Sequence, residues 1–311
     1  MGTLVVVALV VVAALTAVVL ALPHLLARRG VTMCRTRFGL TLVFDAANED
    51  GTPVRLLNVN GTYQSVSYVP EDLRFELACE YHRAMADVIW GLAVARRREA
   101  RASARAAAAD ATGTAAAGGS GSASSPAPVP DVLRVMVMGG GGYSLPKYLA
   151  AFVPNAVCDA VEVDTAVTAL AREHFFLDEC LEQTEGGRAG RLRLVEGDAW
   201  DVLRAATEPY DVIVNDAFSG KRPLGPMRTS EGATVVRAHL APGGAYLANV
   251  RCAQQGRGAG PLREVEAAFS REFAHVWYVP EWPNDPKKPG NNALVATDAE
   301  LPLPDGAVVV R

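Results

Sequence analysis

Residues 136–148 read MVMGGGGYSLPKY: an apolar run, four consecutive glycines, and a segment able to open a helix. Short apolar runs recur on both sides of this turn. LRVMVM (133–138), AVEV (160–163), RLRLV (191–195), DVIVN (211–215) and AYLANV (245–250) read as strands. They alternate with helical stretches such as Thr165–His174 and Thr229–Leu240. This order predicts an α/β fold with a doubly wound, mostly parallel sheet over residues 131–311. The late runs AHVWYVP (274–280) and ALVAT (293–297) predict an antiparallel pair added to it. In such a sheet the first strand-to-helix turn lies at the carboxyl edge, where a ligand meets backbone amides and a helix N-terminus. Gly139, Gly140, Gly141 and Gly142 occupy that turn.

A dinucleotide fingerprint needs glycine at the first, third and sixth positions. From Gly139, Gly140 or Gly141 the sixth residue is Ser144, Leu145 or Pro146, so the nicotinamide reading fails. Glu162, at the end of the second strand, is placed to hold both hydroxyls of a ribose. Asp198 follows the third strand, where it can accept from an adenine amino group, and Asp216 follows the fourth, toward the reacting end. Three strand-end carboxylates on one crevice point to an adenosine-bearing ligand. Asp164 and Asp211 read instead as a helix cap or turn acids.

Composition narrows the remaining classes. The 311 residues are half apolar and carry a formal net charge of -4, which gives no electrostatic case for nucleic acid. Cys34, Cys79, Cys158, Cys180 and Cys252 are odd in number and widely spaced, as expected of reduced thiols in a cytosolic environment rather than a disulfide framework or zinc site. His24, His174, His239 and His275 have no ligand-spaced neighbours, so no metal is expected. Trp90, Trp277 and Trp282 read as packing residues.

From Met1 to Ala27 no side chain is charged, and residues 4–22 are almost wholly apolar, enough at ~1.5 Å per residue to cross a ~30 Å hydrocarbon core. Arg28, Arg29, Arg35 and Arg37 all follow this stretch rather than precede it. A single transmembrane anchor over residues 1–27 is therefore expected, with the rest of the chain on the cytoplasmic side.

Residues 36–105 predict a small β domain plus a helix. LTLVFDAA and PVRLLNVNGTYQSVSYV are β-branched runs with Asn-Gly turn chemistry. Pro70, Glu71 and Asp72 open the expected helix, and Leu73, Leu77, Tyr81, Met85, Val88, Ile89 and Leu92 recur on one face. The arginines from Arg96 to Arg105 read as its solvated end. In residues 106–130, 21 of 25 are Ala, Gly, Ser or Pro, which predicts a linker.

VMVMGGGGYSLPKYLAAF, AVEVDTAVTALAREHF, RLRLVEGDAWDVL, YDVIVNDAFSG and LAPGGAYLANV together resemble the spermidine synthase family, polyamine aminopropyltransferases on a methyltransferase-like Rossmann fold. The resemblance is strongest over residues 133–250 and points to the membrane-fused bacterial branch. It implies decarboxylated S-adenosylmethionine or S-adenosylmethionine as donor, an amine-like acceptor and no metal, and it is compatible with a homodimer. Gln64 matches a donor-contacting glutamine, and Tyr81-His82 match the first two residues of a Tyr-His-Glu motif whose third position is Arg83 here. Glu162 matches the ribose-binding acid, Asp198 the adenine-side acid, and Asp216 the carboxylate that orients and deprotonates the attacking amine.

Two positions depart from the family pattern. Gly142 stands where the family turn carries an aspartate for the donor's ammonium. Ser219 stands where a second aspartate would bind the polyamine, and Lys221 and Arg222 follow it. Tyr81 and Ser219 are the expected substrate-side residues. Two other readings stay open: an AdoMet-dependent methyltransferase, and a non-catalytic nucleoside-binding module held at the membrane.

Overall fold

A computed structural model of the protein describes residues 20–114, 131–188, 190–219, 222–223 and 225–311. Helix α1 spans residues 20–27. The expected membrane-spanning stretch falls mainly on residues 1–19, outside the described residues, as does most of the expected linker, residues 115–130. Among the described residues no helix is long and apolar enough to cross a membrane.

Four strands, β1 (Thr32–Thr36), β2 (Gly39–Ala47), β3 (Pro53–Val59) and β4 (Thr62–Tyr68), form an antiparallel meander. The turn between β3 and β4 is the anticipated Asn-Gly pair, with Asn60 and Gly61 both at positive φ, 49° and 77°. Strand β1, TMCRT, shows no apolar alternation, which hid it in the sequence.

The long helix α2 (Glu80–Thr114) corrects two expected boundaries. It begins ten residues beyond Pro70. Leu73 lies in a short 3-10 turn, and the buried Leu77 reaches the core from a loop whose carbonyl is taken by Arg83 Nε at 2.8 Å. A four-residue spacing thus imitated a helical face where the backbone is not helical. At its other end α2 runs through the Ala-rich start of the expected linker to Thr114, because alanine propagates a helix already nucleated upstream. The arginine run also differs from a merely solvated end: Arg96 pairs with Asp211, and Arg97 with Asp131 at 3.6 Å.

The second unit is an eight-stranded sheet. Its elements in chain order are β5 (Leu133–Met138), α3 (Ser144–Phe152), β6 (Ala156–Glu162), α4 (Thr165–His174), α5 (Leu177–Arg188), β7 (Leu192–Glu196), α6 (Ala199–Ala205) and β8 (Tyr210–Asn215). A two-strand hairpin, β9 (Phe218–Ser219) with β10 (Arg222–Pro223), stands apart from it. Then come α7 (Ser230–Ala238), β11 (Leu240–Cys252), α8 (Gly260–Phe269), β12 (His275–Pro280), β13 (Gly290–Thr297) and β14 (Val308–Val309). Strand order is β14-β12-β13-β11-β8-β5-β6-β7. The β11, β8, β5, β6 and β7 pairings are parallel, and β13 pairs antiparallel with both β11 and β12.

The central strands are apolar at nearly every position because both sheet faces are covered. Val135 and Val137 join the core beneath α2 and α3, while Met136 and Met138 face the opposite core beneath α7 and α8. This register sends the ends of β5, β6, β7 and β8 to one edge, where the four-glycine turn, Glu162, Asp198 and Asp216 come together.

Candidate active site

The glycine turn is shaped first by the protein itself. A Cβ on Gly139, whose φ is +95°, would lie 2.7 Å from the Asp216 carbonyl oxygen. One on Gly140 would fall 2.6 Å from the Tyr143 ring, and one on Gly142 would fall 2.5 Å from Ser65 Oγ and 2.9 Å from the Phe175 ring. Gly139, Gly140 and Gly141 line a cleft of about 540 Å³, whereas Gly142 does not and is packed beneath the small sheet instead. No acidic side chain fits at position 142 without displacing Ser65.

The cleft lies between the meander and the carboxyl edge of the large sheet. Gln64 and Ser65 come from β4, and Phe38 and Arg37 from the β1–β2 turn. Contacts across to the large sheet hold this wall in place: Arg37 N donates to Asp164 Oδ2 at 2.6 Å, Ser67 Oγ meets Ser144 Oγ at 3.0 Å, and Ser144 Oγ donates to the Val66 carbonyl at 3.1 Å. Asp164 also caps α4, accepting from Ala166 N at 3.0 Å, as the sequence suggested. Asp211 is not a turn acid: it lies on β8, accepts from Arg134 N at 2.7 Å and pairs with Arg96.

Glu162 is buried at the end of β6. Its Oε2 accepts from Gly140 N at 2.8 Å and its Oε1 from Asp164 N at 2.9 Å. These backbone donors fix its orientation, and each oxygen retains a lone pair for a hydroxyl in the cleft. Asp198 caps α6 through Oδ1, accepting from Trp200 N at 2.9 Å and Asp201 N at 3.4 Å. Its Oδ2 meets no donor among the described residues. Trp200 lines the cleft beside it and was not singled out in the sequence. Its signal is its place, two residues after the strand-end acid.

Asp216 is the most constrained of the three acids. Tyr81 OH donates to Oδ2 at 3.0 Å, His82 Nε2 lies 2.9 Å from the same oxygen, and Asn249 Nδ2 donates to Oδ1 at 2.9 Å. Tyr81 and His82 lie in the first turn of α2, with ring centroids 4.1 Å apart and planes tilted by 39°. Burial drives the His82 ring toward its neutral form, but Asp216 and Cys79 outweigh it and push its pKa up to about 9. Burial, then the Asp216 charge, holds the Tyr81 phenol well above its ordinary range. His82 lines the cleft; Tyr81 supports Asp216 from behind and is not among the lining residues. Asn249, a polar residue inside the apolar run of β11, was also missed by sequence reasoning.

Beyond Asp216 the wall is apolar, formed by Ala217, Phe218, Pro226 and Met227. Ser219 is placed by backbone pairing with Arg222 in the β9–β10 hairpin, and Lys221 lies outside the described residues. No cluster of metal-ligating side chains occurs among the described residues.

No protein-family model matches the chain. It is similar to a probable polyamine aminopropyl transferase of Bifidobacterium longum, 31% identical over 143 residues that cover 46% of this chain and 28% of that protein. It is also similar to the polyamine aminopropyltransferase of Vibrio vulnificus, 29% identical over 172 residues, 54% of this chain and 52% of that one. The chain thus spans between about a quarter and a half of the length of these curated relatives. A crystal structure of a probable spermidine synthase from Corynebacterium glutamicum shares the fold with a TM-score of 0.57 at 24% identity, covering 86% of this chain and 80% of that one.

Proposed function

We propose that the chain is a transferase that moves an aminopropyl group from decarboxylated S-adenosylmethionine to an amine. The observation that carries this reading is Asp216, held by Tyr81, His82 and Asn249 in the lining of a cleft that also contains Glu162 and Asp198. The cleft fits a nucleoside donor. Glu162 is positioned for the ribose hydroxyls and Asp198 Oδ2 for an adenine amino group, with Trp200 beside it and Gln64 across the cleft.

The reaction is an in-line displacement. The amine nitrogen bonds to the carbon next to the sulfonium, the carbon–sulfur bond breaks, and its electron pair stays on sulfur as a neutral thioether. The sulfonium leaves readily, so the protein has mainly to align the partners and remove a proton. A free alkyl amine titrates near ~10, so at neutral pH Asp216 accepts that proton as orienting base.

The packing at Gly142 favours a second reading. With no acid at that position to hold a donor ammonium, intact S-adenosylmethionine and methyl transfer fit the same nucleoside half. Calorimetric titration of the full chain in detergent with the two donors separates the readings. Tighter binding of the decarboxylated form supports aminopropyl transfer, and tighter binding of the intact form supports methyl transfer.

The uncharged apolar residues 4–22 support a membrane anchor that leaves the cleft on the cytoplasmic side. Retention of the expressed chain in the membrane pellet after alkaline carbonate washing is the expected result, and release into the wash would refute it.

A further inference from the structure

We propose that the acceptor is a primary monoamine with an apolar body rather than a diamine or polyamine, and that Phe218 and Met227 set this preference. The inference rests on the aminopropyl-transfer reading and concerns the acceptor half of the same cleft.

The charged residues lining the cleft are Arg37, His82, Glu162, Asp198 and Asp216. Only Asp216 stands at the end of β8, where the apolar wall begins. It already faces three side-chain donors, with His82 and Tyr81 on one oxygen and Asn249 on the other. What acceptor capacity remains suffices to orient and deprotonate one nitrogen.

A second ammonium on the acceptor would find no second carboxylate on this side of the cleft among the described residues. In the sheet order β8-β5-β6-β7, Glu162 lies two strands from Asp216 and Asp198 three, which is roughly 10 and 14 Å at ordinary strand spacing. Glu162 accepts from two backbone amides, and both acids sit on the nucleoside side of the cleft. The segment that follows Asp216, residues 217–230, contains no aspartate or glutamate and carries Lys221, Arg222 and Arg228. The nearest wall is Ala217, Phe218, Pro226 and Met227, with Met227 3% exposed. An ammonium pressed against those apolar side chains loses its water and gains no charged partner from them, whereas a methyl group there gains apolar contact. The site discriminates by withholding a partner from the second charge.

The test compares pentylamine with cadaverine, which has the same chain length and a terminal ammonium in place of the methyl. The full-chain enzyme is supplied with decarboxylated S-adenosylmethionine, and released methylthioadenosine is measured. The expected result is a kcat/KM at least about tenfold higher for pentylamine, with Phe218→Asp narrowing or reversing that ratio. A wild-type ratio of one or below overturns the inference whatever the variant does. Donor binding without methylthioadenosine release from either amine overturns the transfer reading itself, and the acceptor assignment with it.

Discussion

His82 Nε2 and Asp216 Oδ2 lie 2.9 Å apart, joining the first turn of α2 to the end of β8 across 134 residues of sequence. Neither group is held by its own element. The imidazole keeps its proton because the carboxylate is there, and the carboxylate keeps its orientation because Tyr81 and Asn249 occupy its other directions.

Removing the base should therefore separate chemistry from donor binding. Asp216→Ala is expected to lower kcat by about 10²–10⁴-fold, since Asp216 stands beyond the nucleoside half of the cleft. Donor affinity by calorimetry should stay within about threefold. Unchanged turnover in the variant would sink the role assigned to Asp216.

Asn249→Ala tests positioning rather than proton transfer. It frees Asp216 Oδ1, so kcat should fall by about tenfold while the slope of its pH profile is kept. Loss of folding in place of this split would show that Asn249, 2% exposed, matters for packing alone.

The His82–Asp216 pair predicts a pH-dependent stability with a definite sign. The folded pKa, about 9, is above the ordinary 6.5, so the stabilisation is fully present below pH 6.5 and is lost as pH rises toward 9. Denaturant titrations should show wild type losing up to about 3 kcal/mol relative to His82→Gln across that window. Parallel curves for the two proteins would contradict the raised pKa.

Gly142→Asp restores the aspartate of the resembled family but should not restore its role. The new Cβ meets Ser65 Oγ at 2.5 Å and the Phe175 ring at 2.9 Å, a clash expected to cost about 1–3 kcal/mol. Chemical denaturation checks the loss, and calorimetry should show no gain in affinity for decarboxylated S-adenosylmethionine. A stable variant that binds this donor more tightly would refute the packing argument.

Trp200→Ala should weaken donor binding by about 1–3 kcal/mol if the indole carries the adenine face, with kcat at saturation little changed. An unaltered Kd would place the base elsewhere in the cleft.

The large sheet was legible because burial on both faces makes its central strands nearly continuous apolar runs, as in Tyr210–Asn215. Helix α4 was legible to the residue, since Asp164 is a cap and Phe175 ends the helical run. The carboxylates were legible as strand ends, but their partners were not. Asn249 is one polar side chain in an apolar strand, a pattern that signals only that some buried partner must exist. The start of α2 was misplaced because Leu73 and Leu77 keep helical spacing without helical backbone. The sequence also leaves the glycine turn's true neighbours, Ser65 and Phe175, invisible, because both come from distant elements.

The long separation between α2 and β11 also bears on synthesis. Tyr81 and His82 leave the ribosome far ahead of Asp216 and Asn249, so a nascent chain can complete the meander and α2 while possessing no reactive centre. Asp216 gains the donor on its Oδ1 only when β11 inserts beside β8 and brings Asn249. A chain that stops before β11 thus carries Asp216 with Tyr81 and His82 but without Asn249, and the last parallel strand to be made completes the carboxylate's set of donors.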